Sequence, residues 1–245
     1  VTQDKRPAPV RPASTGVSAA PRAAIDAFLG DATRLKGAAT GQAGRLVFAL
    51  DATMSRQPTW DAAMRLQADM FQAASDLGGL SVQLVYFRGL TECRASRFVA
   101  DARALTDLMA QIDCRGGHTQ IAKVLRHVRD ENARQPVRVV IYVGDAMEEA
   151  IDDLCALAGE LALRNVRLFM FQEGHDPVAS SAFAELARLT GGVHARFDVG
   201  APGRLAELLR AAAVYAGGGV EGLKRLADRE GGEARRWLAL VGPKR

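Results

Sequence analysis

Three short stretches carry the side chains best suited to chemistry. Asp51-Ala52-Thr53-Met54-Ser55 places a carboxylate and two hydroxyls at alternate positions. Gly116-Gly117-His118-Thr119 sets a hydroxyl behind two glycines that allow close backbone approach, and Gly144-Asp145-Ala146-Met147-Glu148-Glu149 supplies a second carboxylate. Asp51, Thr53, Ser55, Thr119 and Asp145 make an all-oxygen donor set that needs neither Cys nor His. Hard donors of this kind suit Mg²⁺, with Mn²⁺ or Ca²⁺ as alternatives, and argue against zinc and copper. Mg²⁺ takes an octahedron of oxygens at about 2.0–2.1 Å and readily keeps waters. Direct bonds from Thr53, Ser55 and Thr119, with Asp51 and Asp145 acting mainly through water, therefore leave a position that an outside ligand can fill.

Other readings compete for the same residues. Asp, Ser and Thr after a strand also serve as helix caps, and an exposed loop histidine such as His118 is commonly inert. Glu148 and Glu149 either strengthen the negative field of the crevice or form the solvated first turn of the next helix. Neither G-x-x-x-x-G-K-[ST] nor G-x-G-x-x-G occurs, so Gly116 and Gly117 do not indicate a nucleotide site. A metal-dependent phosphohydrolase of the haloacid-dehalogenase type would use Asp51 as nucleophile. It would also need a second acid two residues on, where Thr53 stands, and a later lysine. A scaffold domain with a degenerate site is the remaining alternative.

The elements that must position these loops follow from apolar periodicity. Leu46–Leu50 is apolar on both faces and too short for a helix, as a central parallel strand is. Trp60, Met64, Leu66, Met70 and Phe71 recur at roughly helical spacing up to Gly78-Gly79, and strand Leu80–Phe87 follows. Glu92–Val99 lies so close behind, across Arg88-Gly89, that the pair must form a hairpin with an antiparallel edge strand. Helices are expected over 102–112, 119–133, 151–163, 179–189 and 202–215, and strands over 137–143, 166–171 and 193–197. Alternation of this kind means a doubly wound, Rossmann-like α/β fold: a mostly parallel six-stranded sheet with helices on both faces. In such a sheet ligands bind beyond the carboxyl ends of the strands, where the three loops lie.

In these residues the sequence resembles the von Willebrand factor A (VWA) domain family, which includes the integrin inserted domains. That family's metal-ion-dependent adhesion site reads D-x-S-x-S after the first strand, a threonine in a later loop and an aspartate after the fourth strand, often within T-D-G. The motif maps onto Asp51, Thr53 and Ser55, then Thr119, then Asp145, over residues 43–216. Thr53 replaces the first serine, and Ala146 stands where the family has glycine. The resemblance implies binding without catalysis: a protein partner's exposed Asp or Glu completes the metal shell. Neutral hydroxyls around the ion leave much of its charge uncompensated, which favours an incoming carboxylate.

The 245 residues suffice for one α/β domain with extensions. Residues 1–21 are expected to form a flexible tail, 22–42 a helical brace carrying Ile25, Phe28 and Leu29, 43–216 the VWA-like domain and 217–245 a helical extension broken at Gly217-Gly218-Gly219. A net charge of +4 and a pI near 9.2 come from basic residues scattered among acids, not gathered in a stripe, so nucleic acid is not an expected partner. No apolar run spans a bilayer, and a membrane partner is not expected either. Cys93, Cys114 and Cys155 form no C-x-x-C pair, and the first residues hold no signal-like apolar core, so a cytoplasmic location is expected. The Ala- and Arg-rich, aromatic-poor composition suggests an intracellular bacterial member of the family.

Overall fold

The computed structural model describes residues 43–53, 57–74, 77, 79–198 and 202–241. Strand β1 (Gly44–Asp51) leads through helix α1 (Gln57–Ala74) to β2 (Leu80–Arg88), which turns directly into β3 (Glu92–Val99). Helices α2 (Ala102–Met109) and α3 (Ile121–Arg134) precede β4 (Val139–Gly144), followed by α4 (Ile151–Leu163), β5 (Arg167–Glu173), α5 (Pro177–Thr190) and β6 (Val193–Phe197). Helices α6 (Pro202–Glu230) and α7 (Gly232–Val241) close the described chain. The strands form one sheet in the order β3-β2-β1-β4-β5-β6, antiparallel only between β2 and β3. The fold class read from the sequence is therefore the one observed.

Period-two alternation divides the sheet between two cores. Leu46, Phe48 and Leu50 of β1 face α1, α2, α6 and α7, whereas Val47 and Ala49 face α3, α4 and α5. Trp60, Ala63, Met70 and Ala74 form the buried stripe of α1, and the Trp60 indole donates to the Met109 carbonyl at 3.4 Å. On the other face Tyr142 stacks on Phe87 and meets the edge of Phe183, with centroids 6.0 and 5.3 Å apart.

One expectation holds and another needs correction. The helix does break within Gly217-Gly218-Gly219: α6 (Pro202–Glu230) is two helices joined across a kink at Gly219, whose φ of 59° and ψ of −149° are non-helical and suit a residue without Cβ. Leu223, Leu226 and Trp237 beyond the kink are buried in the same core as the sheet. By contrast α3 does not start at Thr119; it starts at Ile121, because groups from another loop satisfy its first N–H groups. The expected tail and brace lie outside the described residues. No helix among the described residues is long and apolar enough to cross a membrane.

Candidate functional site

The sheet order reverses at β1, flanked by β2 on one side and β4 on the other, and the crevice opens at the carboxyl ends of these strands. Parallel register aligns those ends: Leu50 stands opposite both Tyr86 and Val143, so Asp51 ends β1 beside Phe87 and one step from Gly144. Asp51 is 3 % exposed and Thr53 8 %. The Ala52 N–H continues the ladder to the Phe87 carbonyl at 3.0 Å. The Thr53 N–H then donates to Asp51 Oδ1 at 2.8 Å, an Asx turn that lifts the chain out of the sheet. Ser55, the third expected donor of this loop, lies outside the described residues.

The loop before α3 is folded onto the same edge. The Arg115 N–H donates to the Ala52 carbonyl at 2.9 Å and the His118 N–H to the Gly89 carbonyl at 3.1 Å. Arg88 ties β2 to this loop through the Asp113 carbonyl at 2.6 Å. Gly117 presses on the β2–β3 turn so closely that a Cβ there would stand 2.2 Å from the Gly89 oxygen. Glycine at 117 is thus a packing requirement. Thr119, 8 % exposed, sits at the end of this loop.

Glu148 and Glu149 do more than either sequence reading allowed. The Glu148 N–H donates to Thr119 Oγ1 at 3.1 Å, and Glu148 Oε2 accepts from the Thr119 N–H at 3.1 Å and lies 2.9 Å from His118 Nδ1. Glu149 accepts from the first N–H groups of α3, those of Ile121 and, at 2.9 Å, Ala122. A carboxylate suits that place because unpaired N–H groups and the helix dipole make a helix N-terminus positive. The two glutamates thereby clasp the Thr119 loop to the loop that carries Asp145. The spacing of neither residue signalled this role, since the partners lie 27–30 positions away.

The charge states follow from these contacts. The Thr119 N–H, and after it His118, hold the Glu148 carboxyl below the usual carboxylate range. Burial pushes Glu149 up, against the backbone N–H groups that pull it down. Burial, with Asp51 and Asp61 nearby, raises the Cys114 thiol to about 11, which keeps it protonated and a poor nucleophile. Below the crevice Tyr142 is 2 % exposed and its hydroxyl has no hydrogen-bond partner. Burial first, and then the charges of Asp51, Glu149 and Asp145, push its ionisation far above the ordinary tyrosine value. Asp51, Glu149 and Asp145 thus lie near enough to Tyr142 to disfavour its ionisation further.

Asp51, Thr53, Thr119 and Asp145 accordingly share one edge, with two hydroxyl side chains and two carboxylates among them. Among the described residues no group of three or more His, Cys, Asp or Glu side chains is placed to hold a metal. The donors that are present fit a hard divalent cation whose shell is completed by hydroxyls, water and an outside ligand.

No family model matches the sequence, and no curated protein matches it significantly. Solved structures do match. Proximal thread matrix protein 1 from the mussel byssus, in a structure with a zinc-occupied MIDAS motif, superimposes with a TM-score of 0.54 at 15 % identity over 71 % of this chain and 46 % of that one. The SpRpn10 VWA domain gives 0.53 at 14 % identity over 68 % and 94 %. A human COPII-coat protein gives 0.53 at 12 % identity over 71 % and 32 %. The matched region is less than half the length of the mussel and human proteins. The chain has a VWA-like fold.

Proposed function

We propose that this chain is a divalent-metal-dependent protein-interaction module that captures an exposed Asp or Glu of a partner. What supports the reading is that Asp51 and Thr53 follow β1 and Asp145 follows β4, neighbouring strands at the strand-order reversal, while the Thr119 hydroxyl accepts the Glu148 N–H of the Asp145 loop. Thr53, Ser55 and Thr119, with the carboxylates of Asp51 and Asp145, are the residues that would hold the cation, Mg²⁺ first among the candidates. When bound, the ion supplies a positive centre for a partner's carboxylate. The residues of the chain do the rest. Asp51 turns the first loop by accepting the Thr53 N–H. The Glu148 N–H donates to Thr119 Oγ1 and so fixes the position of that hydroxyl.

We assign no catalysis to the site. Lys123, the lysine on the crevice side of α3, donates to the Thr91 carbonyl and Gln120 Oε1, both at 2.8 Å, instead of standing ready for a phosphoryl group. The proposed setting is a cytoplasmic one. Calorimetry with Mn²⁺ and Mg²⁺ tests the reading: the intact chain binds, and Asp51→Ala and Thr119→Ala lose binding while remaining folded. Capture of a partner from source-cell extract should disappear with EDTA and return with Mg²⁺. Equal Mn²⁺ affinity in Asp51→Ala would refute the site.

A further inference from the structure

We propose that the open edge of β6, with the groove between it and α7, takes an extended acidic segment of a partner protein as an added strand. β6 is the last strand of the sheet, and no strand among the described residues pairs with its outer side. The direction of its backbone groups follows from one bond. The Gly174 N–H donates to the Phe197 carbonyl at 3.2 Å, and Glu173 is the register partner of Phe197. Backbone groups alternate sides along a strand, so Val193, Ala195 and Phe197 bond to β5, whereas His194 and Arg196 direct their N–H and C=O groups outward. Two outward residues present four backbone groups in register for strand addition.

The surroundings select the chemistry of the occupant. The groove, about 350 Å³, runs between β6 and the helical residues Arg204, Glu233, Arg236, Trp237 and Leu240. Glu233 is 4 % exposed and is the one acid in the lining; it pairs with Arg204 and, at 2.8 Å, with Arg236. Arg236 remains 70 % exposed in its side chain, and Arg196 is exposed on the strand itself. Arg204 and Arg236 against one buried carboxylate leave the α7 side of the groove positive, and Arg196, whose side chain shares the opposite face of β6 with His194, adds a cation on the other side of the same edge. Its apolar part is Leu240, 59 % exposed, above Trp237, whose buried indole N–H has no acceptor. A second copy of this chain pairing edge to edge would oppose Arg196 to Arg196 or its neighbours, and like charges across a ladder are destabilising. An extended acidic segment matches the backbone, and acids at alternate positions meet a cation on whichever face they take, Arg236 on one or Arg196 on the other.

The test uses the full chain in EDTA, so that any acidic ligand of the crevice metal is excluded. The probe is a blocked, fluorescent decapeptide of alternating Thr and Glu, followed by anisotropy, with the Thr-Lys counterpart as control. The Thr-Glu peptide should bind and the control should not. Hydrogen exchange should slow at the amides of His194 and Arg196, and the combined Arg196→Glu, Arg236→Glu variant should bind at least tenfold more weakly. That same variant should gain affinity for the Thr-Lys peptide, which shows that its groove is intact. Arg196→Glu alone, at an exposed position, should weaken binding in the same direction. Absence of binding by the native chain, undiminished binding by the charge-reversed one, or binding without protection at 194 and 196 would overturn the proposal. So would self-association of the chain through this edge, seen as concentration-dependent sedimentation and blocked by Arg196→Glu.

Discussion

Removing the Tyr142 hydroxyl should make this protein more stable. The ring is held on two sides, stacked 11° from the plane of Phe87 and edge-on to Phe183, and Tyr142→Phe preserves both contacts. Only the oxygen changes, and it is buried with no hydrogen-bond partner. Leaving a hydroxyl unsatisfied in the interior costs about 1–3 kcal/mol. The void left by the missing oxygen, on the order of 10 Å³, costs only about 0.2 kcal/mol. The balance is a gain of about 1–3 kcal/mol, which for a chain of this size raises Tm by roughly 2–11 °C. Differential scanning calorimetry in EDTA measures it, and urea unfolding checks the free-energy scale. A Tm lowered by more than about 2 °C would show that the hydroxyl has a partner in solution, such as an ordered water under the carboxylates. The account of the site floor would then be wrong.

Glu149→Ala uncaps two N–H groups of α3 and should cost about 1–2 kcal/mol, with faster amide exchange confined at first to residues 119–122; uniform loss of protection would contradict the clasp. Gly117→Ala drives a Cβ into the Gly89 backbone and should destabilise by about 1–3 kcal/mol, read as a lower urea midpoint; a neutral result would mean that the turn moves freely. Arg45 pairs with Glu131 at 2.8 Å and, by that hydrogen bond first, holds its carboxyl below the usual range. A lowered folded-state value contributes stability that is complete above the unfolded value, near 4.5, and lost as pH falls through the folded one. Arg45→Met should therefore be less stable than the native chain by about 1 kcal/mol near neutral pH, and the gap should close toward pH 3; a constant gap would assign the loss to packing, because Arg45 also lies 3.8 Å over the Phe98 ring.

The sequence alone determined the sheet and the edge on which the candidate site sits. Apolar runs such as Val139–Val143 can be buried on both faces only in a central strand, and the short step from Phe87 to Glu92 can join only antiparallel neighbours. Those are local properties of pattern and chain length, so they are legible in one dimension. Asp51, Thr53, Thr119 and Asp145 could be grouped because strand ends in a parallel sheet share one edge. What the tertiary structure decided was every contact made across long separations. The Glu148 and Glu149 clasp on α3, the orphan hydroxyl of Tyr142 and the packing of the segment beyond Gly219 onto the sheet's core depend on which surfaces meet after folding. A carboxylate at a loop position reads the same in sequence whether it faces solvent or a helix N-terminus. Only the packing of α3 against the β4–α4 loop brings the positive end of that helix to Glu149.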